Sequence, residues 1–206
     1  MYYRIDKKFS KSQITNIETA MREWERCGVK FIPMSNTIRS SFLLILKSNN
    51  KETNQSTLGD NGISCMQLYN AEKMYIIRHE LGHVLGLLHE HQRPDRDTYI
   101  TVHKENIDPE VDYDLNFGIR KNPLFDEDTA CIAKDLFEEK TTNTSAPDYV
   151  SFDYMSIMMY HPLAASKNFL PVITRTPVQY NSIMYIAGDI ISRCDCEKVK
   201  FIYKKK

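Results

Sequence analysis

The residues of this chain best suited to chemistry lie between positions 79 and 89. His79 and His83 are four residues apart, so on a helix their imidazoles project from one face, a single turn apart. Both can then bind one zinc ion at about 2.0–2.1 Å. Glu80 follows the first histidine, which predicts a carboxylate beside the metal and not on it. That is the position of a general base acting on a zinc-activated water.

Gly86 and His89 complete the pattern HExxHxxGxxH. Glycine adopts positive φ readily, so Gly86 predicts the end of the helix and a chain that turns back beneath the metal. His89 then supplies a third neutral ligand, and the fourth coordination position stays open, as is typical of catalytic zinc. The sequence therefore predicts one catalytic Zn²⁺ held by His79, His83 and His89, with Glu80 as the base.

The elements that must position these residues can be predicted from hydrophobic spacing and capping residues. Ser10 and Gln13 form a capping box, and apolar residues at helical spacing follow as far as Gly28, which predicts a helix over 11–27. The remaining predictions, in chain order, are strands at 29–32 and 42–47, a loop or weak edge strand at 48–62, a helix from the N-cap Asn70 to about Leu85, and a last helix at 189–203. Strands with few helices and no alternating βαβ units favour an α+β fold.

Composition limits the classes of function. The chain has 206 residues, enough for one domain, with 42% hydrophobic and 26% charged residues and zero formal net charge. We therefore expect no nucleic-acid partner and no membrane partner, and no apolar run reaches spanning length. Residues 1–8 lack the apolar core of a signal peptide, so the leader of an exported protein would already have been removed.

Two interpretations of the cysteines stay open on composition alone. The five cysteines, Cys27, Cys65, Cys131, Cys194 and Cys196, form no CxxC pair. They fit reduced thiols in a cytosolic protein or disulfides in an exported one, and the zinc motif favours export. The acidic stretch Lys104–Asp148 is interpreted as solvated surface, with a weak calcium site or a patch that attracts cationic substrates as the alternatives. Glycosylation sequons begin at Asn54 and Asn143.

The segment HELGHVLGLLHEHQRPDRD resembles the signature of the astacin family of metzincin zinc proteases, in which a glutamate such as Glu90 follows the third histidine. The resemblance extends upstream through YRIDKKFSKSQITNIETAMREWE and downstream through YITVHKENIDPEVDYDLNF. SFDYMSIMMY, at 151–160, resembles the Met-turn of the family, and SKNFLPVI, at 166–173, is a weaker match.

This resemblance implies a metzincin-like α+β catalytic domain over residues 1–206, with an N-terminal lobe to about residue 88 and a C-terminal lobe over 89–206. The active-site cleft would lie between the lobes and bind substrate as an added strand at the sheet edge. The expected protein is a secreted, extracellular, monomeric zinc endopeptidase acting on proteins or peptides. Its inhibitory propeptide would be absent from this chain.

The resemblance also assigns roles to residues that periodicity would leave in the core. Met158 would be the apolar floor beneath the imidazoles, with Gly86 and Glu90 as structural support. Tyr160 would place its hydroxyl near the zinc and donate to the oxyanion. The chain departs from the family at Met159 and His161, where histidine and glycine are usual, and it starts too late for the family's mature N-terminus to reach Glu90.

The cysteines match the family pattern in part. Cys27 and Cys65 resemble positions of its two bridges, although the usual partner of Cys65 is missing. The resemblance implies that Cys27 pairs near the C-terminus. Cys194 is preferred over Cys196, because Cys194 shares a helical face with Ile190 and Ile191.

Two other functions compete with a peptidase. One is an inactive zinc-binding module, which would require a lost base, whereas Glu80 and the three histidines are intact. The other is a binding or adhesion domain with structural zinc, which would require a fourth protein ligand on the metal.

Overall fold

The computed structural model describes residues 1–35, 39–51, 53–59, 62–120, 152–176 and 188–204. The chain divides into two compact units. The first consists of Met1–Leu88 and Asp189–Lys206, and the second of His89–Gly188. No helix in the described ranges is both long and apolar enough to cross a membrane. Cys131, Asn143, Ser151 and the later part of the acidic stretch lie outside the described residues.

The first unit is built on a five-stranded sheet in the order β2-β1-β3-β5-β4. Its elements are β1 (Tyr2–Ile5), α1 (Lys11–Glu25), β2 (Ile32–Pro33), β3 (Phe42–Lys47), β4 (Asn54–Ser56), β5 (Ile63–Leu68), α2 (Met74–Val84) and α4 (Arg193–Lys204). Strand β1 pairs in parallel with β2 on one side and with β3 on the other, and β3 pairs in parallel with β5. Strand β4 runs antiparallel to β5 at the edge of the sheet. Alternate side chains of β3 and β5 are buried, so these two strands provide the apolar floor under the helices.

Helix α1 begins where the capping box predicts. Gln13 N donates to Ser10 Oγ at 3.2 Å, and Ser10 N donates to Gln13 Oε1 at 2.9 Å. The helix buries a stripe that includes Trp24, whose indole N–H donates to Arg78 O of α2 at 3.0 Å. Arg78 in turn pairs with Glu23. Because α1 and α2 are joined by both bonds, the helix carrying the histidines has a fixed support.

The structure agrees with some predicted boundaries and corrects others. Strand β3 and the weak edge strand β4 are confirmed, whereas the strand predicted at 29–32 is reduced to β2. The helix predicted from Asn70 begins at Met74, because Lys73 N donates to Asn70 O and closes a turn first. Strand β5 is absent from the predictions, since polar residues interrupt its apolar pattern.

The preference for Cys194 is wrong. Cys27 bonds to Cys196, with their Cα atoms 4.6 Å apart. Helix α4 begins at Arg193, so Ile190 lies before the helix and is 64% exposed. The buried face of α4 therefore follows a different register, Cys196, Val199 and Ile202, while Cys194 is half-buried.

The second unit contains β6 (Ile100–Val102) and β7 (Ile173–Arg175), paired antiparallel, and the short helix α3 (Tyr113–Phe117). Three single 3₁₀ turns, Glu90–Gln92, Arg96–Thr98 and Lys104–Asn106, precede α3. Its core is the buried cluster Ile100, Ile107, Phe117, Phe152, Met159, Val172 and Ile173. This core supports the turn over 152–160, the described part of the predicted Met-turn.

Candidate metal centre

The three predicted ligands come together in space. One ring nitrogen from each of His79, His83 and His89 lies within 4.8 Å of the other two. The rings of His79 and His83 meet edge to face, with centroids 4.8 Å apart, as expected for residues one turn apart on α2. Among the described residues this is the one group of metal-ligating side chains with such spacing.

Hydrogen bonds at the far side of two rings fix which nitrogen faces the centre. His83 Nδ1 lies 2.8 Å from Leu87 O, which can only accept, so Nδ1 carries the proton. His89 Nδ1 lies 3.0 Å from Gln92 Oε1. The orientation of the Gln92 amide follows from its nitrogen, which donates to Leu115 O at 3.0 Å. Both imidazoles therefore present an Nε2 lone pair, which is the arrangement that zinc-binding histidines adopt.

The electrostatic environment favours the ligand form of His83. The pKa of His83 is lowered to about 3, chiefly by burial and in addition by the positive charge of a protonated His79, while the bond to Leu87 O opposes both. A neutral imidazole is the form that binds a metal. The donor set, its tautomers and its spacing thus fit Zn²⁺.

Gly86 ends helix α2 as predicted. Its φ is +99°, Gly86 N donates to His83 O at 2.8 Å, and Leu87 N donates to Gly82 O at 3.0 Å. These two bonds form a Schellman motif, which satisfies the last carbonyls of the helix and reverses the chain. A Cβ at Gly86 would also stand 3.4 Å from Ile202 Cδ1 of α4. The turn thereby sets the direction in which the chain travels to His89.

Glu80 is buried and held by one hydroxyl. Ser56 Oγ lies 2.8 Å from Glu80 Oε2 and 2.9 Å from Glu80 O, so the end of β4 contacts both the side chain and the backbone of this residue. Burial raises the pKa of Glu80 to about 7, and the hydrogen bond from Ser56 opposes the rise. A carboxylate with such a pKa can both accept and return a proton near neutral pH.

Glu90 supports the segment that follows His89. It is 3% exposed and pairs with the buried Arg93 at 2.9 Å, while the same oxygen accepts Asp153 N at 2.9 Å. The backbone N–H of Glu90 donates to Met158 O at 3.0 Å. Met158 is 1% exposed, and its own N–H donates to Ser156 Oγ. The residue after the third histidine is therefore bonded at two points to the turn that carries Met158.

Tyr160 lies against His89. Their ring centroids are 4.6 Å apart, at 61°. The next residue, His161, is exposed, and its Nδ1 accepts Leu163 N at 3.2 Å, while Met159 is part of the apolar core. Of the two residues that depart from the family pattern, Met159 therefore packs in the core and His161 faces solvent.

Comparison with known proteins identifies the family of this chain. A profile of the astacin peptidase family matches residues 1–127. The chain belongs to the astacin family. Tolloid-like protein 1 of Homo sapiens is 36% identical over 115 residues, which is 55% of this chain and 11% of that protein. Astacin-like metalloprotease toxin 2 of Loxosceles intermedia is 40% identical over 92 residues, 45% of this chain and 27% of the toxin. The chain thus spans a small part of these curated astacin relatives.

A solved astacin-type structure extends the likeness to the whole chain. High choriolytic enzyme 1 of Oryzias latipes, a hatching enzyme zinc-protease, superposes with a TM-score of 0.72 and 27% identity. The superposition covers 99% of this chain and 88% of that one. The predicted resemblance and the α+β metzincin fold are confirmed, and the family to which the chain belongs is one of peptidases.

Sequence reasoning missed three residues that shape the centre. Gln92 fixes the tautomer of His89, and its position three residues later was the available signal. Ser56 contacts Glu80 through the pairing of β4 with β5, which leaves no trace in local sequence. Arg96 is 4% exposed and donates to the backbone carbonyls of His91 and Phe117, which sequence spacing does not reveal.

Proposed function

We propose that this protein is a zinc-dependent endopeptidase, with His79, His83 and His89 as the metal ligands and Glu80 as the general base. The observation that carries the proposal is the convergence of three imidazole nitrogens within 4.8 Å, two of them oriented by acceptors behind the ring. A purely structural zinc site would require a fourth protein ligand, and the described residues offer three.

When bound, zinc supplies Lewis acidity that activates water and polarises the scissile carbonyl. Glu80 accepts a proton from the attacking water at its carboxylate and passes it to the leaving amine nitrogen. Ser56 keeps that carboxylate in place during both transfers. Tyr160 donates its hydroxyl hydrogen to the carbonyl oxygen as negative charge develops there. Met158, Gly86 and Glu90 hold the surrounding backbone.

Export and a protein substrate belong to the same proposal. A disulfide between Cys27 and Cys196 is typical of oxidising compartments, which supports secretion. A relative named as a hatching enzyme and another named as a toxin support an extracellular place of action. The domain is proposed to act as a monomer, and its substrates to be extended segments of proteins.

Hydrolysis of casein by the zinc-loaded protein tests the proposal. A chelator should abolish hydrolysis, and added Zn²⁺ should restore it. Glu80→Gln should keep the fold and the zinc content but lower turnover by several orders of magnitude, because the proton acceptor is lost. Glu110→Gln, which removes an exposed carboxylate, is the matched control and should retain full activity. Activity in a zinc-replete Glu80→Gln protein would remove Glu80 from the proposal, and an inert wild type would favour a binding module.

A further inference from the structure

Tyr160 is bracketed by buried rings that take no part in metal binding. His91 lies 4.1 Å from Tyr160 between centroids, at 35°, and Phe117 lies 5.8 Å away, at 88°. Both have 0% exposure. The ring of His91 also stacks on His89, at 5.3 Å and 26°. One face of Tyr160 therefore rests on an imidazole whose own position is fixed inside the second unit.

A hydrogen bond at Nε2 holds the His91 ring in its plane. His91 Nε2 lies 2.8 Å from Asn116 O, which can only accept, so the ring donates there. A ring that is both stacked and bonded at its far edge cannot rotate about χ2 without losing the bond. His91 thus offers Tyr160 a stationary surface at a stacking distance.

A single buried guanidinium fixes the two residues that bracket Tyr160. Arg96 is 4% exposed, and its Nη1 donates to His91 O at 3.0 Å and to Phe117 O. The Nη1 group has two hydrogens, so it can serve both carbonyls at once. The rest of the guanidinium is held by Asp97 Oδ1, at 3.0 Å from Nε, and by Tyr113.

We propose that His91 and Arg96 are positioning residues for Tyr160: His91 sets the plane of the tyrosine ring, and Arg96 sets the spacing between His91 and Phe117. The inference rests on the proposed function, since it concerns how a hydroxyl that acts in peptide hydrolysis is kept in reach. Catalytic groups need placement to well under an ångström, and residues behind them supply it.

Steady-state kinetics with three variants test this role. His91→Leu removes the flat surface, Arg96→Lys removes the forked donor, and His91→Phe keeps a ring without the Nε2 donor. We expect His91→Leu and Arg96→Lys to lower kcat about tenfold, the order of one aromatic contact, with KM within about twofold. His91→Phe should stay within about threefold of wild type. His103→Leu removes a histidine of the same unit whose side chain contacts Glu105 and Thr174, and it should leave kcat unchanged.

A double-mutant cycle shows whether the effect passes through the hydroxyl. In a Tyr160→Phe background, His91→Leu should cost less than about twofold, because the group that it positions is gone. An equal loss of kcat in both backgrounds would overturn the inference, since His91 would then act elsewhere.

A spectroscopic readout keeps the inference separate from the proposed function. Zinc-loaded protein labelled with 3-fluorotyrosine gives a ¹⁹F signal for Tyr160, assigned by its absence in Tyr160→Phe. His91→Leu and Arg96→Lys should shift that signal, whereas His103→Leu should not. An unmoved signal in both variants would overturn the inference even if Tyr160 proves catalytic. A shifted signal with full activity in Tyr160→Phe would instead overturn the proposed catalytic role of the hydroxyl.

Discussion

Tyr160 is the residue whose proposed role depends most on family resemblance, because periodicity alone predicts a packed aromatic at its position. If its hydroxyl acts on the developing oxyanion, Tyr160→Phe should lower kcat by about 10²–10³-fold, the range for one lost oxyanion donor. KM and zinc content should barely change, since three histidines still hold the metal. Kinetics on a peptide substrate and zinc analysis of the purified variant check both.

Tyr154→Phe is the matched control for that experiment. The Tyr154 hydroxyl donates to Tyr99 O at 2.9 Å, so its loss removes a partly buried hydrogen bond without changing the histidines. We expect a small loss of stability and unchanged kcat. If Tyr160→Phe instead behaves like this control, Tyr160 is a packing residue, and His161 becomes the first candidate for the oxyanion role. If the variant loses zinc, the hydroxyl is a ligand.

For individual site residues, contacts within one helix can be predicted from the sequence, whereas contacts that depend on strand pairing cannot. The four-residue spacing of His79 and His83 implies a shared face, because helix geometry is local. The contact of Ser56 with Glu80 depends on where β4 pairs in the sheet, and no spacing within the sequence encodes it. Residues that orient the site are therefore harder to predict than those that bind in it.

The turn after α2 determines whether the third histidine reaches the other two. Gly86→Ala places a Cβ at φ +99° and 3.4 Å from Ile202, so we expect a loss of about 1 kcal/mol or more in the free energy of unfolding. Zinc affinity should fall as well, because the segment leading to His89 must shift. Thermal unfolding of the metal-free protein and competition with a zinc chelator measure the two effects.

Gly28→Ala is the control that distinguishes the effect of backbone strain on stability from an effect on zinc affinity. Gly28 follows α1 with φ +91°, and a Cβ there would meet Lys200 Cγ at 3.7 Å. Its substitution should lower stability through the same backbone strain but leave zinc affinity unchanged. Equal zinc affinity in the two variants would mean that the turn at Gly86 does not position His89.

Elements with strong local signals were predictable, and those fixed by distant partners were not. The capping box and apolar stripe of α1 and the continuous apolar run of β3 both match the structure. The predicted start of α2 fails because a turn from Asn70 to Lys73 delays the helix to Met74, and the Asn70 backbone N–H donates to a distant partner, the side chain of Asn54. Strand β5 is stabilised by β3 and β4 on either side, which its own mixed sequence does not show.

The disulfide should contribute a large share of the stability of the first unit. Cys27 and Cys196 are 169 residues apart, so the bridge closes a long loop and restricts the unfolded chain strongly. Replacing both by serine should lower the free energy of unfolding by about 2–5 kcal/mol. Cys194→Ser, in the same helix but outside the bridge, should change it by less than about 1 kcal/mol. Chemical denaturation with and without a reductant makes the comparison, and equal losses in both variants would contradict the pairing.

The first unit is formed by residues 1–88 together with residues 189–206, so its two segments leave the ribosome at different times. A ribosome releases the histidines about a hundred residues before it releases α4, a delay on the order of ten seconds. Until α4 emerges, Gly86 lacks the side chain of Ile202 behind it, and Cys27 lacks its partner. A nascent chain that has emerged only as far as His89 therefore carries the whole HExxHxxGxxH motif without the support that α4 adds.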